Sequence, residues 1–311
     1  MPATAPPPDR IALDPRAPGW VRDRVTAAGA TIVDAREAAA LVWLSPGDVA
    51  GLRATIASAP QLRWVQLPFA GVENMIDGGV FTDERLWTCG KGVYAEEVAE
   101  HALALALAGL RCVPDRVRAR SWGQGTGVSL LGERVAILGG GGICESLLRL
   151  LGPFGCDIAV MRRDLSKPMA GVARLVGPDA VLEAVDGALV VFVALSLTPA
   201  TTAIIHAGVF ARMRNDAWLI NVARGRHVVT DDLVDALRNG TIGGAGIDVT
   251  DPEPLPDGHP LWELPNVIIT PHTANTPEMA IPPLGRRIEE NIRRFIRGDE
   301  LIGPVDINLG Y

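Results

Sequence analysis

The residues whose spacing first suggests chemistry are glycines. An apolar run at residues 135–138 leads into Gly139-Gly140-Gly141-Gly142, and Ile143 and Cys144 then open a helical pattern. A strand, a glycine turn and a helix in that order form a pyrophosphate cradle. Gly139 allows the tight turn, Gly141 lets the backbone come close, and the amides of Gly142, Ile143 and Cys144 meet the charge at the helix start. The third glycine of the fingerprint is absent, and Cys144, also small, stands there. About twenty residues on, where an acid would hold ribose hydroxyls, the chain carries Arg162 and Arg163. Guanidinium groups pair with a 2′-phosphate, so NADP(H) is the expected cofactor and NAD(H) the other option. The competing reading is a solvated basic pair, with Asp164 turned in to serve the ribose.

The elements around this loop must hold it. At 311 residues the chain exceeds one compact core and suits two domains. Residues 30–33, 40–44, 62–67 and 86–89 read as strands of a first α/β set, followed by a mostly buried helix at 96–111. A second set has strands at 135–138, 158–161, 189–195, 218–222, 244–249 and 267–270. Helices at 146–151, 178–184, 207–213 and 231–238 separate them. Near-continuous apolar strands alternating with helices imply a doubly wound parallel sheet. A last amphipathic helix, at 284–297, returns to the first set. We therefore expect a discontinuous substrate domain, 1–94 with 276–311, around a dinucleotide-binding domain at 95–275, with a hinge near residues 94–95 and 274–276.

Composition narrows the function classes. The net charge of −7 disfavours nucleic acid, whose binding rests on phosphate neutralisation. The most apolar stretches, near 102–110 and 188–197, are about half a membrane span, so no membrane partner is expected. Cys89, Cys112, Cys144 and Cys156 form no CxxC pair and no zinc spacing, so no metal is expected. Reduced thiols and a start without an apolar signal core point to the cytoplasm.

Four stretches, taken together, resemble the D-2-hydroxyacid dehydrogenase family: Val98-Ala-Glu-His101, the glycine loop, Asn221-Val-Ala-Arg224-Gly225, and Asp248-Val-Thr-Asp-Pro-Glu253-Pro-Leu255 with Thr270-Pro271-His272. Ala40-Leu-Val-Trp43, Gly225-Arg-His-Val-Val229 and the ending Val305-Asp306 … Gly310-Tyr311 are most similar to the NADPH-dependent glyoxylate/hydroxypyruvate reductase branch. The resemblance implies a Rossmann cofactor domain inserted in a smaller flavodoxin-like α/β substrate domain, and reduction of a small 2-oxo acid to the D-2-hydroxy acid. It assigns Arg224 to the substrate, Glu253 to the acid position and His272 to the proton donor. Asp248 would hold the nicotinamide carboxamide, and Thr198, with Leu195, Val222 and Ala223, would lie beside the nicotinamide and its ribose. Ala70, Gly71 and Val72 would cradle the substrate carboxylate. Ser196 and Val229 depart from the family's pattern.

These residue types suit the reaction. A planar guanidinium at Arg224 can bond a carboxylate and the neighbouring keto oxygen together. Free imidazole titrates near neutrality, at about 6.5, which suits a general acid at His272. Glu253 can hold that ring in one orientation. All three follow strands, where ligands of open α/β sheets gather. Two other readings stand beside this one: a dinucleotide-sensing binding protein, and a dehydrogenase for a larger hydroxy acid. His101 is expected to be structural and bonded to backbone, and His206 and His227 to face solvent. Leu67, Phe69 and Trp43 are candidates for an apolar pocket wall. The apolar helix at 96–111 carries more buried surface than one neighbour needs, so a homodimer is expected.

Overall fold

The computed structural model describes residues 5–15, 17–81, 84–307 and 309. Residues 1–4 of the proline- and alanine-rich start, and Gly310 and Tyr311 of the ending, lie outside the described residues. The chain divides into two compact units, Met1–Tyr94 with Thr276–Tyr311, and Ala95–Asn275.

The first unit contains β1 (Arg10–Asp14), α1 (Gly19–Ala27), β2 (Thr31–Ile32), β3 (Ala40–Trp43), α2 (Val49–Ser58), β4 (Trp64–Gln66), α3 (Glu73–Asp77) and β5 (Leu86–Thr88). Its five strands are all parallel in the order β2-β1-β3-β4-β5. That is the flavodoxin-like order. Trp43, Trp64 and Trp87 are buried in this unit. β1 was not anticipated, because five residues with Arg10 and Asp14 at the ends give too short a pattern to read.

The second unit opens with α4 (Ala95–Leu110) and α5 (Val113–Arg118). It continues through β6 (Arg134–Leu138), α6 (Gly142–Leu151), β7 (Asp157–Met161), β8 (Arg174–Val176), α7 (Val181–Val185) and β9 (Val190–Val193). Then follow α8 (Ala207–Phe210), β10 (Trp218–Asn221), α9 (Thr230–Arg238), β11 (Gly244–Ile247) and β12 (Val267–Ile269). Its sheet runs β12-β11-β10-β9-β6-β7-β8, all parallel. This is the Rossmann order, with its switch point between β6 and β9. One buried apolar cluster lies on each face of the sheet, which explains why the inner strands lack polar alternation.

Small residues decide where α4 lies. A Cβ at Gly246 of β11 would come 2.9 Å from Leu105 Cβ, so glycine there lets the helix settle on the sheet. His101, one turn before Leu105, is thereby carried to the carboxyl ends of β11 and β12.

The chain closes with α10 (Pro277–Arg297) in the first unit. It starts seven residues before the expected 284. Pro282 and Pro283 lie inside it, and the buried stripe Leu284, Ile288 and Ile292 outweighs the lost helix bonds.

Candidate active site

The cofactor loop takes its shape from Gly139, whose φ of 119° suits glycine alone and whose Cβ would meet the Ala194 carbonyl oxygen at 2.3 Å. β6 and β9 therefore approach each other at the switch point. Gly141 is the N-cap of α6 with no side-chain cap, and nothing lies within 4 Å of where its Cβ would be. The first amides of this ten-residue helix, among them Gly142, Ile143 and Cys144, remain available to an anion. Cys144 fills the third-glycine position from the buried side of the helix, and burial pushes its thiol up to about 12.

The basic pair follows β7. Arg162 passes beneath the loop, since a Cβ on Gly140 would lie 2.6 Å from its Cδ. Its Nη2 donates to the Lys167 carbonyl, while its buried Nε has no hydrogen-bond partner. Arg163 is exposed. Asp164 accepts from Ser166 N at 2.9 Å and Ser166 Oγ at 2.6 Å, which holds its carboxyl below the usual range. Its Oδ1 thus closes its own turn. Cradle, uncapped helix and cations suit a phosphate-bearing dinucleotide.

Leu195 and Thr198 occupy the loop after β9, where Thr198 N donates to Thr201 Oγ1 at 2.9 Å. His227, expected to face solvent, is instead fully buried: its Nδ1 lies 2.9 Å from the Thr201 carbonyl oxygen and its Nε2 3.2 Å from that of Leu195. The short helical turn Gly225–His227 folds the ring under that loop.

The loop after β10 carries Val222, Ala223 and Arg224. Asn221 clamps it, accepting from Ala223 N at 3.1 Å and donating to the Arg224 carbonyl at 2.9 Å. Arg224 Nη1 donates to the Ala223 carbonyl at 2.7 Å. A Cβ at Gly225 would fall 1.9 Å from the Thr250 carbonyl oxygen, so this loop presses on the one after β11. There Thr250 N donates to Glu253 Oε2 at 3.3 Å, and Glu253 Oε1 lies 2.7 Å from His272 Nδ1. A chain of contacts thus joins the arginine, glutamate and histidine loops along one edge of the sheet.

His272 has a φ of 53°, in the left-handed region. Such a conformation costs of order 1–3 kcal/mol. Asp248, almost wholly buried at the end of β11, offsets it. Its Oδ1 accepts from Thr273 N at 2.8 Å and its Oδ2 from Ala274 N at 3.0 Å, and amide bonds to a charged group contribute about 1.5–3 kcal/mol each. The Asp248 carbonyl accepts from His272 N at 2.8 Å.

Sequence reading passed over Thr270, Asn221, Ser166 and Lys167. Thr270 immediately precedes Pro271-His272 and Asn221 opens the arginine motif, which was the signal available. His101, expected on backbone, meets the Thr270 hydroxyl instead.

In the first unit, Ala70 is exposed, Gly71 half-buried and Val72 buried. Their turn is braced by Gly90 N donating to the Phe69 carbonyl at 2.9 Å and Tyr94 Oη to that of Pro68 at 2.6 Å. Trp43 and Leu67 belong to the core, and only Phe69 is exposed.

The comparisons agree with this architecture. Residues 101–274 match the family model described as D-isomer specific 2-hydroxyacid dehydrogenase, NAD binding domain. The chain is 40% identical over 256 residues to an "uncharacterized protein in proB 3′ region" of Corynebacterium melassecola, covering 80% of this chain and 84% of that one. It is 32% identical over 286 residues to glyoxylate/hydroxypyruvate reductase A of Photorhabdus laumondii, covering 88% and 87%. It superimposes with a TM-score of 0.85 and 27% identity on a D-isomer specific 2-hydroxyacid dehydrogenase of Xanthobacter autotrophicus solved with NADPH and MES, covering 97% and 99%. The chain belongs to the D-isomer specific 2-hydroxyacid dehydrogenase family, and is an oxidoreductase with an NAD-binding domain.

Proposed function

We propose that the protein reduces the keto group of a small 2-oxo acid, of the glyoxylate or hydroxypyruvate kind, to the D-2-hydroxy acid, using NADPH. The observation that carries this reading is the His272–Glu253 pair held at the strand ends, with the Arg224 loop pressed against its supporting backbone. The preference for NADPH rests on Arg162 and Arg163 after β7, with Asp164 Oδ1 engaged by Ser166.

NADPH, when bound, supplies the hydride that reaches the keto carbon. The amides of Gly142, Ile143 and Cys144 would hold its pyrophosphate, and Arg162 and Arg163 its 2′-phosphate; Asp248, which the resemblance assigned to the carboxamide, instead has its buried carboxylate engaged by Thr270, Thr273 and Ala274. Leu195, Thr198, Val222 and Ala223 line the nicotinamide end. Arg224 holds the substrate carboxylate and polarises the keto oxygen. His272 Nε2 gives its proton to the oxygen as charge develops there, and Glu253 keeps Nδ1 engaged so that Nε2 is the nitrogen presented.

A panel of 2-oxo acids of increasing side-chain size, assayed with NADPH and with NADH, tests the reading. Turnover is expected with the small acids and NADPH. Turnover of bulky acids alone would assign a larger hydroxy acid, and dinucleotide binding without turnover of any acid would assign a sensor.

We also infer a homodimer formed through the second unit. Val113, Val117, Trp122 and Leu131 are exposed there, near the end of α4. Sedimentation at twice the chain mass is expected, and a monomeric mass would overturn it.

A further inference from the structure

Residues outside the reacting set hold the loop that carries His272. Thr270 Oγ1 donates to Asp248 Oδ1 at 2.5 Å. A hydroxyl has one proton, so the 3.0 Å contact between Thr270 Oγ1 and His101 Nε2 requires the histidine to donate. That fixes the His101 tautomer with its proton on Nε2, and the same nitrogen stands 3.6 Å from Asp248 Oδ1. The relay runs from α4 through the end of β12 to the end of β11, and its last member is the carboxylate that Thr273 N and Ala274 N grip. Those two amides follow directly on His272, whose left-handed backbone needs such an anchor.

We propose that His101 is a positioning residue for the proton donor: by donating to Thr270 it orients the hydroxyl toward Asp248, and so clamps the backbone that presents His272. The inference rests on His272 being the donor, but the clamp itself can be measured without turnover. His101 touches none of the reacting atoms in this scheme and acts only through Thr270 and Asp248.

The test uses the full chain with His101→Leu, which removes the donor, His101→Gln, whose amide can donate from nearly the same place, and Thr270→Val, which removes the hydroxyl without changing the side-chain shape. Two readouts are taken: amide hydrogen exchange at Thr273 and Ala274, and kcat and KM with NADPH and the best 2-oxo acid. In His101→Leu and Thr270→Val, exchange at the two amides should rise about tenfold or more, while amides in β6 keep their wild-type protection. In both, kcat should fall about tenfold with KM for NADPH within about twofold, since a misplaced donor slows the proton step. The double variant should be no worse than either single one, because both break the same relay. His101→Gln should restore most of both readouts.

Unchanged exchange in both His101→Leu and Thr270→Val would overturn the clamp. Raised exchange with wild-type kcat would confine His101 to local stability and overturn its positioning role. A wild-type protein that turns over no 2-oxo acid would fail the reading of the site, and exchange would then decide the clamp alone. Should His101→Leu not fold, Thr270→Val and His101→Gln carry the same comparison.

Discussion

His272 Nδ1 and Glu253 Oε1 lie 2.7 Å apart, with the other carboxylate oxygen tied to the Thr250 amide. A carboxylate only accepts, so Nδ1 donates and Nε2 is left to exchange a proton with substrate. Glu253→Gln replaces the acceptor with an amide that can turn its NH2 toward the ring, losing the tautomer control. Its kcat should fall about tenfold or more, within the range general acid catalysis contributes. A kcat equal to wild type would remove Glu253 from the scheme.

The basic pair makes a cofactor test. A hydrogen bond to a charged group contributes about 1.5–3 kcal/mol, so Arg163→Ala should raise KM for NADPH about tenfold or more and leave KM for NADH nearly unchanged. Arg162→Ala should act in the same direction, with some loss of loop order, because its stem also underlies Gly140. Equal effects on both dinucleotides would contradict a 2′-phosphate role.

Gly225→Ala tests the joining of the arginine and glutamate loops. Its methyl would land 1.9 Å from the Thr250 carbonyl oxygen, which forces backbone apart. Overpacking of this type costs about 1–3 kcal/mol, so the melting temperature should drop by several degrees. The surviving fold should show kcat reduced more than KM for NADPH. A variant with wild-type melting and kcat would show that the two loops need no close contact.

Cys144 lies in the cofactor loop and invites a redox or nucleophilic role, which its environment argues against. Burial raises the thiol to about 12, so the reactive thiolate is scarce in the folded protein below that pH. Iodoacetamide at pH 8 should leave Cys144 unmodified in the native state and label it after denaturation. Rapid native labelling, read by peptide mass spectrometry, would contradict the burial.

Much of this architecture was legible in the amino-acid sequence because its signals are local. Val135 to Cys144 combine strand, turn and helix in one short stretch, and the inner strands are apolar throughout because both faces of their sheet are covered. Other features escaped for physical reasons. β8 is a three-residue edge strand, too short for any period to register. The start of α10 was hidden by Pro282 and Pro283, which argue locally for a break that packing overrides. His227 looked like a surface histidine beside Arg226, and only the folding of Gly225–His227 under the β9 loop buries it. The contact of His101 with Thr270 spans 169 positions and depends on how closely α4 meets Gly246, which no local pattern reports.

The central claim is that His272 delivers the proton in an NADPH-dependent reduction. Its most direct test compares kcat of wild type and His272→Asn for NADPH oxidation with glyoxylate, alongside NADPH affinity measured by fluorescence. The account expects kcat to fall about 10²–10⁴-fold with NADPH affinity unchanged. An asparagine variant that turns over glyoxylate as fast as wild type would contradict it.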